Sequence, residues 1–176
     1  MGQKKTNKWD MVGAYPVCTK CGSKKVVRDA WAEWRISNNS WELKSIFDTF
    51  ACDKCGENMV PAWKLDQDYR KKRIRRLNDA LRRGHCENGS IVITQGVQAM
   101  GDDNLAIVAT KVSAFGEFSE DNDPHQEHDF GSITLEDTKL FWKIDYFDLD
   151  LKCLSPDPAS SAHTNRVLTI MLASEY

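Results

Sequence analysis

Two cysteine pairs, Cys18-Thr19-Lys20-Cys21-Gly22 and Cys52-Asp53-Lys54-Cys55-Gly56, have residue types and a spacing suited to holding a metal ion. Two residues between the thiols let one tight turn aim both sulfurs at a single tetrahedral ion, and the following glycine relieves the backbone behind them. Four thiolates leave no open position for water, so the expected cofactor is one structural zinc ion, although iron can use the same ligands. Knuckle spacing without an apolar leader fits thiolate–metal chemistry in a reducing, cytoplasmic setting better than it fits disulfides. Cys86 and Cys153 read as buried free thiols.

A second concentration of reactive side chains lies at Asn122-Asp123-Pro124-His125-Gln126-Glu127-His128-Asp129-Phe130-Gly131, opposite Trp142-Lys143-Ile144-Asp145-Tyr146 in an expected hairpin. If residues 127–129 are extended, Glu127 and Asp129 share one face and His128 takes the other. Glu127, Asp129 and Asp145 could then hold a divalent ion, with Lys143 neutralising a developing anion and His128 as general base. That is the outline of a metal-dependent, nuclease-like hydrolase. The plain alternatives are an Asx-turn at Asp123, a Lys143–Asp145 salt bridge and a structural histidine. No Walker loop, Gly-x-Ser-x-Gly, His-Glu-x-x-His or dinucleotide fingerprint supports catalysis, so binding is preferred over enzymatic activity.

The third chemical feature is a basic run. Eight of the fourteen residues from Arg70 to Arg83 are Lys or Arg. Ile74, Leu77, Ala80 and Leu81 form a buried stripe at helical spacing, which leaves Lys71, Lys72, Arg75, Arg76, Arg82 and Arg83 as a surface for phosphate or acidic groups. Residues 1–86 hold 19 Lys and Arg against 10 Asp and Glu, a balance of +9, whereas residues 87–176 hold 5 against 16, a balance of −11. A polyanion would meet the first part and be repelled by the second.

The elements that position these groups follow from periodicity and turn chemistry. Residues 1–13 read as a flexible leader; Met1-Gly2-Gln3-Lys4-Lys5-Thr6 matches an N-myristoylation template, but a solvated leader is the preferred reading. Residues 14–58 read as a zinc ribbon. Val26 to Ile36 and Trp41 to Phe50 alternate as two strands about an Asn38-Asn39 turn. Trp31, Trp34 and Trp41 are expected to form the ribbon's core with the zinc; as interleaved neighbours of Arg28, Arg35 and Lys44 they could instead stack bases. Residues 59–65 are a linker, and 66–176 a larger domain. It holds a helix from about Asp66 to Arg83, a strand at Ser90–Thr94, a helix at Asn104–Phe115, a hairpin at Asp129–Leu135 and Lys139–Asp148, and a last strand or helical turn at Val167–Leu172. The second helix is expected to turn Leu105, Val108, Ala109, Val112 and Phe115 inward. The fold class is α+β: a small β zinc ribbon, then a domain with an antiparallel sheet and two helices. No apolar window is long enough to span a membrane.

Arg73-Ile74-Arg75-Arg76-Leu77-Asn78-Asp79-Ala80-Leu81-Arg82, Ile93-Thr94-Gln95-Gly96-Val97, Asn122-Asp123-Pro124, Glu127-His128-Asp129-Phe130-Gly131, Trp142-Lys143-Ile144-Asp145-Tyr146, Ser155-Pro156-Asp157-Pro158 and Arg166-Val167-Leu168-Thr169-Ile170-Met171-Leu172-Ala173 occur in order over residues 70–176. Together they resemble a proteobacterial family catalogued as a domain of unknown function and often carried on plasmids and other mobile elements. His125-Gln126 departs from the aromatic-Gly pair at that place, which leaves Glu127, His128 and Asp129 as the better candidates. The resemblance implies a bacterial cytoplasmic setting and brings no activity. On all three features the expected function is an accessory binding protein whose ribbon and basic helix engage nucleic acid or an acidic protein. An anti-defence role, in which the acidic half occupies a host defence protein, is a variant of that reading.

Overall fold

The structure, a computed structural model, describes residues 10–85 and 88–176. The myristoylation template, most of the leader and Cys86 lie outside the described residues. The chain divides into two compact units, Met1–Asp66 and Gln67–Tyr176.

In the first unit, β1 (Ala14–Val17) pairs antiparallel with β4 (Ala62–Leu65), and β2 (Val26–Arg35) pairs antiparallel with β3 (Ser40–Cys52). Residues 62–65, expected as linker, are therefore a strand of the ribbon. Asn39 adopts the left-handed conformation at the expected turn, with φ of 55°. The ribbon's tryptophans correct the sequence reading: Trp31, Trp34 and Trp41 are 65%, 44% and 69% exposed and do not form a core. What is buried instead is Val17, Cys18 and Cys52. A two-stranded sheet has nothing to cover its second face, so β2 and β3 keep their apolar side chains in solvent and the knuckles hold the unit together.

The second unit is α+β. Helix α1 (Gln67–Arg82) presents Ile74 and Leu81 inward, and Gly84 and His85 close it by donating their N–H groups to the Leu81 and Ala80 carbonyls. Strand β5 (Gly89–Ile93), the short helix α2 (Gln95–Gln98), α3 (Asp102–Ala114), β6 (Phe130–Leu135), β7 (Thr138–Phe147) and β8 (Asn165–Leu172) follow. The strands form a four-stranded sheet in the order β5-β8-β7-β6. Its β6–β7 and β7–β8 pairs are antiparallel as expected, whereas β5 runs parallel to β8. The β8 segment is thus a strand throughout. Ala109 of α3 is exposed, not inward, and Cys153 is exposed, not buried.

Alternation places Leu140, Trp142 and Ile144 of β7 on the same face as Leu168 and Ile170 of β8, and there they pack against Leu81, Val97, Val108 and Val112. Trp142 is fully buried at the centre, edge-on to Phe115 at 5.5 Å and beneath the Arg82 guanidinium at 5.0 Å. At the C-terminus, Glu175 accepts hydrogen bonds from the Thr94 hydroxyl and the Gly96 and Leu172 amides, which ties the chain end to the start of α2. No helix among the described residues is long and apolar enough to cross a membrane.

Gly131 lies directly opposite Trp142 in the β6–β7 register, and a Cβ there would sit 2.5 Å from the indole ring. The ring is enclosed and cannot retreat. Gly131→Ala should therefore lower unfolding stability by about 1–3 kcal/mol. A fall in the urea midpoint at unchanged slope is the expected readout.

Candidate functional site

The candidate metal centre is built by two matching turns. Gly22 N–H donates to the Cys18 carbonyl at 2.9 Å and Gly56 N–H to the Cys52 carbonyl at 2.8 Å. Both glycines are left-handed, with φ of 69° and 71°, a conformation that costs other residues strain. The turns bring the sulfurs of Cys18, Cys21, Cys52 and Cys55 within 4.8 Å of one another. Cys18 and Cys55 Sγ lie 3.8 Å apart, and Cys21 and Cys52 Sγ 3.6 Å. A tetrahedron with Zn–S bonds of about 2.3 Å has S···S edges of about 3.8 Å, so the four cysteines fit a metal ion such as zinc.

The thiols also show why they suit a cation. Burial works to raise the Cys52 thiol, but the Cys55 and Lys54 amides and neighbouring thiols pull it down to about 6. At Cys55 the Glu57 amide favours the thiolate, yet burial and the three other sulfurs outweigh it and push the thiol up to about 12. Four crowded sulfurs cannot all ionise side by side, and a divalent ion among them removes that conflict.

The basic face of α1 is sorted by partner. Arg70 is buried against Asp157 at 2.8 Å, and Arg73 Nε donates to the Ala159 carbonyl at 2.8 Å. Arg82, expected at a binding surface, is buried: its guanidinium donates to the Val112 and Phe115 carbonyls and pairs with Asp79 at 2.5 Å. The other five expected residues remain on the outer side. Lys72, Arg75, Arg76 and Arg83, with Asp79, Ala80 and His85, line a concavity of about 320 Å³. Tyr69, Lys72, Arg73 and Arg76 line another of about 260 Å³. Among the described residues, Lys71, Lys72, Arg75, Arg76 and Arg83 make no ion pair.

The acidic–histidine segment is not the extended strand on which the hydrolase outline depends. Gln126 and His128 are left-handed, with φ of 58° and 55°. The buried Asp123 carboxylate holds that turn by accepting the Glu127 and His128 amides at 2.8 and 3.1 Å. His128 Nδ1 donates to Asp79 Oδ1 at 2.9 Å, and its ring stacks on Phe118 at 3.6 Å between centroids. Burial acts to raise the Asp79 carboxyl, but hydrogen bonds from His128 and Arg82 outweigh it and hold it below the ordinary range. Lys143 pairs with Asp145 at 2.9 Å. Among the described residues, the cysteine set is the one group of three or more potential ligands close enough to share an ion, and Glu127, His128, Asp129 and Asp145 are not part of such a group.

These residues join a polar network that sequence reading missed. Asn78, fully buried on α1, donates to the Glu127 carbonyl and the Tyr146 hydroxyl, both at 2.8 Å. The Tyr146 hydroxyl donates to Glu127 Oε2 at 3.1 Å, and the fully buried Arg166 donates through Nε to Asn78 Oδ1 at 3.0 Å and through Nη2 to the Pro158 carbonyl. A polar Asn amid the apolar stripe of α1 was the available signal, since a buried amide needs partners. Burial raises the Glu127 carboxyl, helped by Asp129 and Asp123 and opposed by the Tyr146 hydrogen bond. Burial likewise raises Asp129, with Asp123 and Asp145 adding to it.

Two predictions follow from this geometry. Cys21→Ser or Cys55→Ser should release the metal and unfold the first unit, seen as lost zinc stoichiometry and protease sensitivity before residue 66; full stoichiometry in either variant would refute the ligand set. Asp129, with a raised folded-state pKa, contributes stability that is complete below about pH 3.8 and is lost as pH rises through the folded value. Asp129→Asn should therefore be more stable than the native chain at pH 7, an advantage that disappears below about pH 4, as urea midpoints at the two pH values would show.

Residues 93–175 match a protein family described as "Protein of unknown function (DUF3768)". The match runs from the last residue of β5 to the final turn, in accord with the resemblance to a domain of unknown function, and leaves α1, the rest of β5 and the cysteine cluster outside it. No curated protein and no solved structure matches the chain.

Proposed function

We propose that the protein is a binding protein that engages the phosphate backbone of nucleic acid through the outer face of α1. The observation that carries this reading is the set of five cations without ion-pair partners among the described residues, Lys71, Lys72, Arg75, Arg76 and Arg83, along α1 and the residue that follows it, four of which line one or both of two adjoining concavities. Five unscreened positive charges within four helical turns repel one another, and a run of phosphates at a few ångströms relieves that repulsion while releasing condensed counterions. Asp79 at the rim is already held by His128 and Arg82, so it does not oppose an approaching anion as an unpaired carboxylate would. Arginine at 75, 76 and 83 offers forked donors that match phosphate oxygens, and Tyr69, half exposed at the edge, offers a ring for a base or sugar. The β2–β3 hairpin contributes less to this contact, because its Arg28, Arg35 and Lys44 are paired with Asp48, Glu42 and Glu33 respectively.

Fluorescence anisotropy with labelled single- and double-stranded oligonucleotides between 50 and 300 mM salt tests the reading. About four phosphate contacts on duplex predict a slope of about −3.6 in log K against log salt. Replacing Lys72 and Arg76 together by Glu should weaken binding at least tenfold and reduce the slope by about 2. Absent binding at low salt, or affinity indifferent to salt, would overturn it.

A further inference from the structure

Tyr69, Lys72, Arg73 and Arg76 stand at i, i+3, i+4 and i+7 of α1, so they share one side of the helix. Together they line the smaller concavity, about 260 Å³, whose walls are three cations and one phenol ring. The Tyr69 side is open to solvent, the residue being 52% exposed. Arg73 is anchored through Nε on the Ala159 carbonyl at 2.8 Å, which holds its guanidinium in place without neutralising it. Lys72 and Arg76 are exposed and also line the larger concavity, where Arg83 and His85 follow. Among the described residues, Lys72, Arg73, Arg76 and Arg83 make no ion pair. An aromatic ring thus opens a track of unneutralised cations.

We infer that this concavity takes an unpaired base of a single-stranded nucleic acid, stacked on the Tyr69 ring while the flanking phosphates lie on Lys72, Arg73 and Arg76. The inference rests on the reading of α1 as a phosphate-binding face and adds the strand class to it. Ring chemistry selects this ligand over other polyanions. A flat aromatic face offers little to the carboxylates of an acidic peptide, but it pairs with the π-face of any base, and arginine beside it adds a cation–π contribution. In a duplex each base face is covered by its neighbours in the stack, so a ring on a protein surface reaches sugar and phosphate alone. The strand must be single for a base to turn onto Tyr69. Spacing agrees with a strand that runs along the helix. Lys72 and Arg76 are separated by about 6 Å of helical rise, close to the separation of successive phosphates on an extended strand. The exposed tryptophans of the β2–β3 hairpin lack this arrangement, because Arg28, Arg35 and Lys44 of that hairpin are held in ion pairs. Stacking of this kind is tolerant of base identity, so no sequence preference is expected.

Anisotropy titrations of the full zinc-loaded chain against three labelled DNA probes of equal length test the inference: a mixed-sequence single strand, an abasic strand with the same phosphates, and the duplex. The native chain should bind the base-bearing strand about five- to 150-fold more tightly than the abasic strand, the range expected for one stacked base. Tyr69→Ala should erase that difference and leave abasic-strand and duplex affinity, the salt slope and the urea midpoint unchanged, because no phosphate contact is removed. Tyr69→Trp should restore it. A 2-aminopurine placed in the strand should be quenched on binding the native chain and not on binding Tyr69→Ala. If the alanine variant fails to fold, Tyr69→Leu keeps the bulk of the side chain and carries the same expectation. Equal, salt-dependent binding of the base-bearing and abasic strands by the native chain would overturn this inference and leave the phosphate reading standing, whereas no salt-dependent binding of any probe would remove both. A base preference that survives in the folded Tyr69 variants would place the stacking elsewhere and defeat the inference. So would displacement of the strand by polyglutamate as readily as by unlabelled strand at equal charge, which would assign the face to an acidic polypeptide.

Discussion

The second unit depends on the buried amide of Asn78. Its Nδ2 donates twice and its Oδ1 accepts once, so one side chain ties α1 to the 123–128 turn, to β7 through Tyr146 and to β8 through Arg166. Burying Arg166 completely is costly unless every donor finds a partner. The Asn78 and Pro158 oxygens and the Tyr146 ring surround it, while Arg70 and Asp157 make a second buried pair along the same side of α1. Such a network adds little net stability, but a slipped or rotated helix would strand several polar groups at once. Fixing one side of α1 in this way also fixes the other, and the unpaired cations therefore occupy a defined place rather than a mobile helix.

The first unit solves the same problem with different means. It is too small to bury a core, and four cysteines around a metal ion such as zinc would do the work of one. Once the knuckles are stapled, β2 and β3 can extend as a ribbon whose aromatic residues stay in solvent. A fold held at its cysteine turns, rather than by a core, leaves these apolar side chains free of internal duty.

Most regular elements and the cysteine cluster were legible in the sequence because each rests on local spacing. Cys-x-x-Cys-Gly specifies a turn within five residues, and the 74, 77, 81 stripe specifies the inner side of α1. What was not legible rests on contacts far apart in sequence. Trp31, Trp34 and Trp41 read as a core because tryptophan in a small domain commonly is one; only the absence of a second sheet leaves them exposed. Arg82 read as a surface cation because its helical position lies outside the apolar stripe, yet Asp79 and the end of α3 enclose it. Glu127, His128 and Asp129 looked catalytic because carboxylates and histidine cluster there. The left-handed turn at His128, set by Asp123, sends His128 to Asp79 and Glu127 to Tyr146.

Counting charge along the chain therefore gives the right sign for the wrong residues. The balance of +9 over residues 1–86 suggests a ribbon and helix that are basic alike. Partnering divides them. Arg28, Arg35 and Lys44 are neutralised across their own hairpin, and Arg70, Arg73 and Arg82 are spent on the interior of the second unit. The remainder on α1 has no carboxylate of the described residues to take up its charge, and in the first unit Lys24, Lys25, Lys54 and Lys64 likewise make no ion pair among the described residues. Exposed pairs attenuate each other's field within a few ångströms, whereas unpaired neighbours add. The β2–β3 hairpin and the helix, both bearing exposed basic residues, differ for that reason: one is neutralised by its own pairs, the other is cationic.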